Sequence, residues 1–231
     1  MKLNVHERGD GDRLALLIHG GMSDHRTWHA VEDDLIARGY RVIAPDLRGH
    51  GLSPRGEYRP EALADDLAEN LPTGADVAIG HSLGGLSLAL AADRLLPARA
   101  IYSDPGFRLS NMPPNASAFM LAMVANATEE SVRTMNPRWS DADVEAELAG
   151  FALFDREFFA LTEESTALGY LPERAVVPSL VQLADPSLVI NPAVAQELRD
   201  NGFETRTVAG AGHCIHRDDL AGFMASLDGW I

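Results

Sequence analysis

The sequence predicts an α/β fold, a mostly parallel sheet flanked by helices and interrupted by one helical insertion. Three observations carry that reading. Short apolar runs alternate with helical patterns, the signature of βαβ units and a parallel sheet. The alternation stops over 105–177, where the pattern is helical in character, and then resumes to the C-terminus. The length, 231 residues, suits one α/β domain with an insertion and is ample for a sizeable core. No repeat, low-complexity tract or linker divides the chain. The expected organisation is a core made of 1–104 and 178–231, with 105–177 inserted into it as helices.

The elements follow in order. Residues 13–19 (RLALLIH) read as a strand buried by its length and flanks, closed by Gly20-Gly21. Over 27–38, Trp28, Val31, Leu35 and Ile36 recur at helical spacing, and Gly39 is a stop signal. A second strand at 40–44 ends at Pro45-Asp46, and a short helix at 60–71 has proline at its entry. A third strand at 75–80 leads into an Ala/Leu-rich helix at 83–96, and a fourth at 98–103 is cut off by Asp104-Pro105-Gly106. Inside the insertion Pro113-Pro114, Asn136-Pro137 and Leu171-Pro172 mark breaks. A strand at 178–184, a helix at 192–199, a strand at 203–208 and a final helix at 218–230 complete the chain.

Composition narrows the function. Asp plus Glu outnumber Lys plus Arg by 34 to 19, a net charge of −15, which argues against a nucleic-acid backbone or an anionic membrane surface as partner. Cys214 is the single cysteine, so neither an intrachain disulfide nor a four-cysteine zinc site is available. No apolar run approaches the ~20 residues of a membrane span. The opening MKLNVHE lacks the apolar stretch of a secretion signal, so a reduced, cytoplasmic setting is expected.

The strongest chemical signal is Gly80-His81-Ser82-Leu83-Gly84, a G-x-S-x-G between a predicted strand and a predicted helix. A turn this tight needs small residues around the serine, and it lifts the hydroxyl above the sheet edge beside the positive end of the helix. Serine is a poor nucleophile until a base takes its proton. His213, in Ala211-Gly212-His213-Cys214 after the last strand, is the expected base. Acyl transfer also needs backbone N–H donors aimed at a developing oxyanion. Gly21, in His19-Gly20-Gly21, and Leu83, the residue after the serine, are the natural pair.

With these motifs in hand the sequence resembles the α/β-hydrolase superfamily, from about Leu14 to the C-terminus. The resemblance rests on His19-Gly20 followed by Trp28, the turn Asp46-Leu47-Arg48-Gly49-His50-Gly51-Leu52-Ser53, the Ser82 elbow and Gly212-His213. It implies an α/β-hydrolase fold in which 105–177 is a helical cap over the active site. It also implies a carboxylate that orients His213. Family members usually carry that acid in a Gly-x-x-Asp turn after the post-cap strand. Here that stretch reads Leu183-Ala184-Asp185-Pro186-Ser187, with alanine for the usual glycine and Ser187 where the acid would fall. A minority of relatives take the acid from the end of the strand before the cap, which is Asp104 in this chain. Asp104 is preferred because the usual pattern is broken in two places, and Asp185 is kept as the alternative.

The resulting expectation is a cofactor-independent serine hydrolase acting on an ester or lactone of a moderately hydrophobic small molecule. The same fold and triad also serve C–C bond hydrolysis, lyase and perhydrolase chemistry, and a non-catalytic ligand-binding scaffold is the remaining alternative. Phe107, Phe119, Phe151, Phe154, Phe158 and Phe159, with Met112, Met120, Met123 and Met135, enrich the insertion in large apolar side chains. Some of them are expected to roof an apolar pocket. No metal site is expected. His25 and His29 have helical ligand spacing, but no carboxylate of an H-E-x-x-H pattern lies between them, and they read as a solvated helix face. Cys214 reads as a buried small side chain and the Asp46–Ser53 stretch as a structural turn.

Overall fold

Every predicted strand forms, and the computed structural model adds one at the edge. It describes residues 1–108, 115–159 and 170–231, so Met112 and the Pro113-Pro114 break lie outside the described residues. The strands are β1 (Val5–Arg8), β2 (Arg13–Ile18), β3 (Tyr40–Pro45), β4 (Val77–His81), β5 (Ala100–Ser103), β6 (Ser179–Leu183) and β7 (Glu204–Thr207). They form one sheet in the order β1-β3-β2-β4-β5-β6-β7. β1 pairs antiparallel with β3, and every other pairing is parallel. β1 is invisible to pattern reading because Val5-His6-Glu7-Arg8 offers a single apolar residue. Its backbone supplies the pairing at an exposed edge.

The helices are α1 (His29–Ala37), α2 (Pro60–Asn70), α3 (Leu83–Leu95), α4 (Ala116–Asn126), α5 (Glu129–Met135), α6 (Asp141–Leu153), α7 (Pro192–Asp200), α8 (Ile215–Asp218) and α9 (Leu220–Ala225). Two expected helices differ from their predicted form. The one at 27–38 begins as a 3₁₀ turn, His25–Trp28, capped by the Asp24 side chain. The one at 218–230 is shortened to α9, ending at Ala225, and is separated from the preceding turn α8 because Asp219 leaves helical geometry and caps α9 by accepting the Gly222 N–H at 2.9 Å.

Strand residues alternate between two cores, as the period of two requires. Leu16 and Ile18 of β2 face one cluster with Leu63, Leu67, Leu88 and Leu198 from α2, α3 and α7. Ala15 and Leu17 face the other, with Trp28, Leu35, Ile215 and Phe223. Burial on both faces explains why the central strands read as continuous apolar runs. Helices α4 to α6 enter between β5 and β6, and Val124, Phe151, Phe154 and Phe158 from this stretch join the first cluster.

The chain turns opposite ways on leaving β2 and β4, so the crevice beyond their C-terminal ends is the topological switch point of the sheet. Closing it brings backbones together. A Cβ on Gly84 would lie 2.2 Å from the Ile18 carbonyl oxygen, and one on Gly80 would lie 2.5 Å from the Gly84 oxygen. Gly84→Ala should therefore destabilise the fold by about 3 kcal/mol, the upper end of overpacking costs. Urea unfolding checks this, and a loss no larger than that of a surface Gly→Ala change would mean the corner yields freely.

Candidate active site

Ser82 sits on the turn from β4 into α3 with φ +49° and ψ −113°, a conformation L-residues avoid. Neighbouring strand ends hold it there. The Ser82 N–H donates to the Ser103 carbonyl (3.0 Å), and the Ser82 carbonyl accepts from the Gly106 N–H (2.9 Å). Gly20 completes the corner, since a Cβ there would meet His81 Nδ1 at 2.7 Å. Among the described residues four non-glycines have positive φ: Met22, Ser82, Leu96 and Asp104. Leu96 caps α3, and the other three border the site.

His213, from the loop after β7, reaches Ser82 and Asp104 together. Its Nε2 lies 3.0 Å from Ser82 Oγ, and its Nδ1 lies 2.7 Å from Asp104 Oδ2. With the Nδ1–H donated to the carboxylate, Nε2 is left to accept the serine proton. Asp104 is fully buried at the end of β5. Its Oδ1 accepts the Ala184 N–H at 3.3 Å, and its own N–H donates to Gln182 O at 2.8 Å. The end of β6, where the family usually carries its acid, thus supplies a backbone donor to Asp104. Asp185 does not reach His213. Its Oδ2 accepts the Gly210 N–H at 3.2 Å, which pins the β7 loop instead.

A cavity of about 220 Å³ opens beside Ser82 and His213. Gly21 and Leu83 line it, as do Met120, Phe154, Phe158 and Phe159 from the insertion. Phe107 is instead buried against Tyr102, and Phe119 and Met135 are exposed. His50 lies under this aromatic group, 4.9 Å from the rings of both Phe154 and Phe158, and burial pushes it down to about 3. Cys214 forms part of the cavity wall, where burial pushes its thiol up to about 12.

Several residues around the site were not singled out by sequence reasoning. His81, the variable residue before the serine, is buried and hydrogen-bonded through Nε2 to the His213 carbonyl at 2.9 Å. Burial holds it well below its usual value, and the neighbouring His213 adds to this, so it anchors the loop as a neutral donor. Asp218 accepts the Gly212 N–H (2.7 Å) and the Trp139 indole N–H (2.8 Å), joining the loop to the insertion. Arg217 stacks on Trp139, 3.4 Å from the ring centre, and pairs with Glu147 of α6 at 2.8 Å. The pattern signal for these was weak, because His213, Trp139 and Glu147 lie 70 or more residues from His81, Asp218 and Arg217 respectively.

His25 and His29 are not a solvated face. His25 Nδ1 lies 2.8 Å from the buried Asp46, and His29 Nε2 lies 3.0 Å from Asp143. Asp24, His25 and Asp46 bring their ligand-type atoms within 4.8 Å of one another. Their acceptors already serve the fold. Asp24 takes Arg26, while Asp46 takes Asn4, Leu52 and both the backbone and ring N–H of His25. Burial disfavours the Asp46 charge, but these bonds outweigh it and hold Asp46 well below the usual carboxylate range.

A family model described as the alpha/beta hydrolase family matches residues 15–225. The methylesterase 8 of Arabidopsis thaliana is 32% identical over 154 residues, covering 62% of this chain and 51% of that protein. The pyrethroid hydrolase of Sphingobium wenxiniae is 36% identical over 105 residues, 39% of this chain and 37% of that protein. The chain therefore spans about a third to a half of the curated relatives it matches. Among solved structures, an N-formylmaleamic acid deformylase from Pseudomonas putida S16 superposes with a TM-score of 0.78 at 26% identity, covering 98% of this chain and 96% of that one. No helix among the described residues is long and apolar enough to cross a membrane.

The His29–Asp143 bond ties α1 to α6 and is linked to pH. The bond to Asp143 raises His29 above its usual value. Burial opposes the Asp143 charge, but hydrogen bonds from His29 and Ser140 leave it below its usual value. A raised histidine contributes stability that is present below its unfolded pKa of ~6.5 and is lost as pH rises through the folded value. The lowered Asp143 sets the acid limit, losing its contribution as pH falls through its own folded value. His29→Gln should thus destabilise the protein more at about pH 5.5 than at about pH 9. Urea midpoints at the two pH values measure this, and a pH-independent difference would show that the bond does not need the imidazolium.

Proposed function

This chain belongs to the alpha/beta hydrolase family, and from that premise we propose that it is a cofactor-independent serine hydrolase. Its substrate in this reading is a carboxylic ester or lactone of a moderately hydrophobic small molecule. The observation that carries the proposal is the unbroken hydrogen-bonded chain from Asp104 through His213 to Ser82, ending at a cavity wall. Ser82 Oγ attacks the scissile carbonyl carbon while His213 Nε2 takes its proton. The carbonyl oxygen, now an oxyanion, is held by the backbone N–H groups of Gly21 and Leu83 at the start of α3. The C–O bond to the leaving group breaks as His213 returns the proton to it. Water then attacks the acyl-serine with His213 again as base, and the acid product leaves as the bond to Ser82 Oγ breaks and His213 returns that proton to the serine. Asp104 stays ionised throughout, fixing the imidazole tautomer and stabilising the imidazolium.

The insertion 105–177 serves as the cap, and 1–104 with 178–231 as the catalytic core. Phe154, Phe158, Phe159 and Met120 supply the apolar roof, which favours an acyl or alcohol group of low polarity. At about 220 Å³ the cavity suits a small substrate. With one cysteine no intrachain disulfide is available, which fits a reducing cytoplasmic setting.

Ser82→Ala should lower ester turnover by on the order of 10⁶ in kcat and abolish labelling by a fluorophosphonate, with the fold intact. Substantial turnover by the purified variant would end the serine mechanism, and a wild-type protein that fails to label would favour a binding scaffold. Asp104→Asn should cost about 10⁴ in kcat, because the amide offers His213 a donor where an acceptor is required. Asp185→Asn should cost little, since its partner is Gly210. The reverse ranking, measured on proteins of matched circular dichroism, would return the acid to the strand after the cap.

A further inference from the structure

The cavity has a charge of its own that the hydrolytic machinery does not use. Glu147, on α6, lines it together with Ser82 and His213. Glu147 Oε2 lies 2.8 Å from Arg217 Nη1, and the two side chains are 14% and 2% exposed. Arg217 is not part of the lining. Its guanidinium lies over the Trp139 ring and donates to the Asp143 carbonyl at 3.1 Å. Of the pair, the acidic residue borders the cavity and the basic one does not.

Among the described residues that border the cavity there is no Lys or Arg. The stretches 109–114 (LSNMPP) and 160–169 (ALTEESTALG) contain neither residue type. The chain as a whole carries −15, so the field outside the cavity has the same sign.

We infer that Glu147 is a specificity-determining residue that excludes substrates bearing a carboxylate and admits uncharged ones, an inference that rests on the hydrolase reading above. A carboxylate stripped of water needs cations or several N–H donors in exchange. In this cavity it meets a like charge. A neutral ester loses no such hydration and finds an apolar roof, and an N–H or O–H group on it finds an acceptor in Glu147. Discrimination arises from repulsion of the wrong substrate, not from stronger contacts to the right one.

The test compares two esters of equal chain length, 4-nitrophenyl hexanoate and the mono-4-nitrophenyl ester of adipate, in which a carboxylate replaces the terminal methyl. Wild-type kcat/KM should favour hexanoate by at least about 100-fold, the scale of a like-charge juxtaposition. Glu147→Gln removes the repelling charge and leaves Arg217 paired with Asp143 alone, 3.7 Å away, so the preference should fall by about 10-fold or more, through gain on the adipate ester. Glu147→Asp should keep the preference. If Glu147→Gln does not fold, because it removes the nearer carboxylate from a buried cation, Glu147→Gln with Arg217→Gln removes both charges and should still narrow the ratio. Comparable wild-type rates on the two esters, or a ratio unchanged in a folded variant without the Glu147 charge, would overturn this inference and leave the hydrolase reading standing. Failure to cleave either ester would overturn both.

Discussion

The structure depends on one steric constraint, the close approach of three backbones at the corner where β4 turns into α3. Gly84 packs onto the Ile18 and His19 carbonyls, Gly20 onto His81, and Gly85 onto Pro105. No side chain fits at any of these contacts. Their result is that the ends of β2, β4 and β5 are held at fixed separation. Gly21 is presented by the first, Ser82 by the second and Asp104 by the third. The left-handed φ of Ser82 and of Asp104 is tolerated because this packing over-determines both. A corner that closed less tightly would leave the serine on a relaxed turn, away from the cavity wall.

His213 enters this frame from outside, and its position is set by polar bonds more than by packing. His81 holds its carbonyl and Asp104 its ring, while Asp218 holds the preceding residue. The same loop continues into Arg217, which is clasped by Trp139, Asp143 and Glu147 of the insertion. Buried charges of this kind gain little net stability, since desolvation offsets most of the attraction. They do tie the histidine loop, the inserted helices and the cavity wall together. The neutral buried imidazoles of His81 and His216 fit the same picture. Burial lowers both well below their usual value, and they pack as aromatic plates against one another and, for His216, against Trp28.

Much of the fold was legible because strands buried on both faces and helices between them leave strong local patterns. β2 through β7, α1 to α3 and α7 follow from apolar runs, Gly and Pro punctuation and spacing, whereas α4 to α6 were read only as a stretch of helical character. β1 was not legible, since an edge strand held by backbone pairing needs no apolar code. The break between α8 and α9 was missed because Asp219 caps by its side-chain geometry, which spacing does not record. At the site, Ser82 and Gly21 stand in local motifs, and His213 follows from chain order. The histidines at 25 and 29 were misread as solvated because their carboxylate partners, Asp46 and Asp143, are remote in sequence.

By itself the sequence determined the parallel α/β architecture, the elbow that carries Ser82 and the place of the insertion, because each is encoded within a short window by sterics and periodicity. Only the tertiary structure decided which carboxylate faces His213. Asp104 and Asp185 both precede a proline at a C-terminal strand end, and nothing local separates them. The sheet does so, by ending β5 beneath the histidine and directing Asp185 to Gly210. It also decided which apolar residues of the insertion meet the cavity and that Glu147 borders it. Those outcomes depend on how α6 docks against the loop after β7, a long-range packing problem that no window of sequence contains.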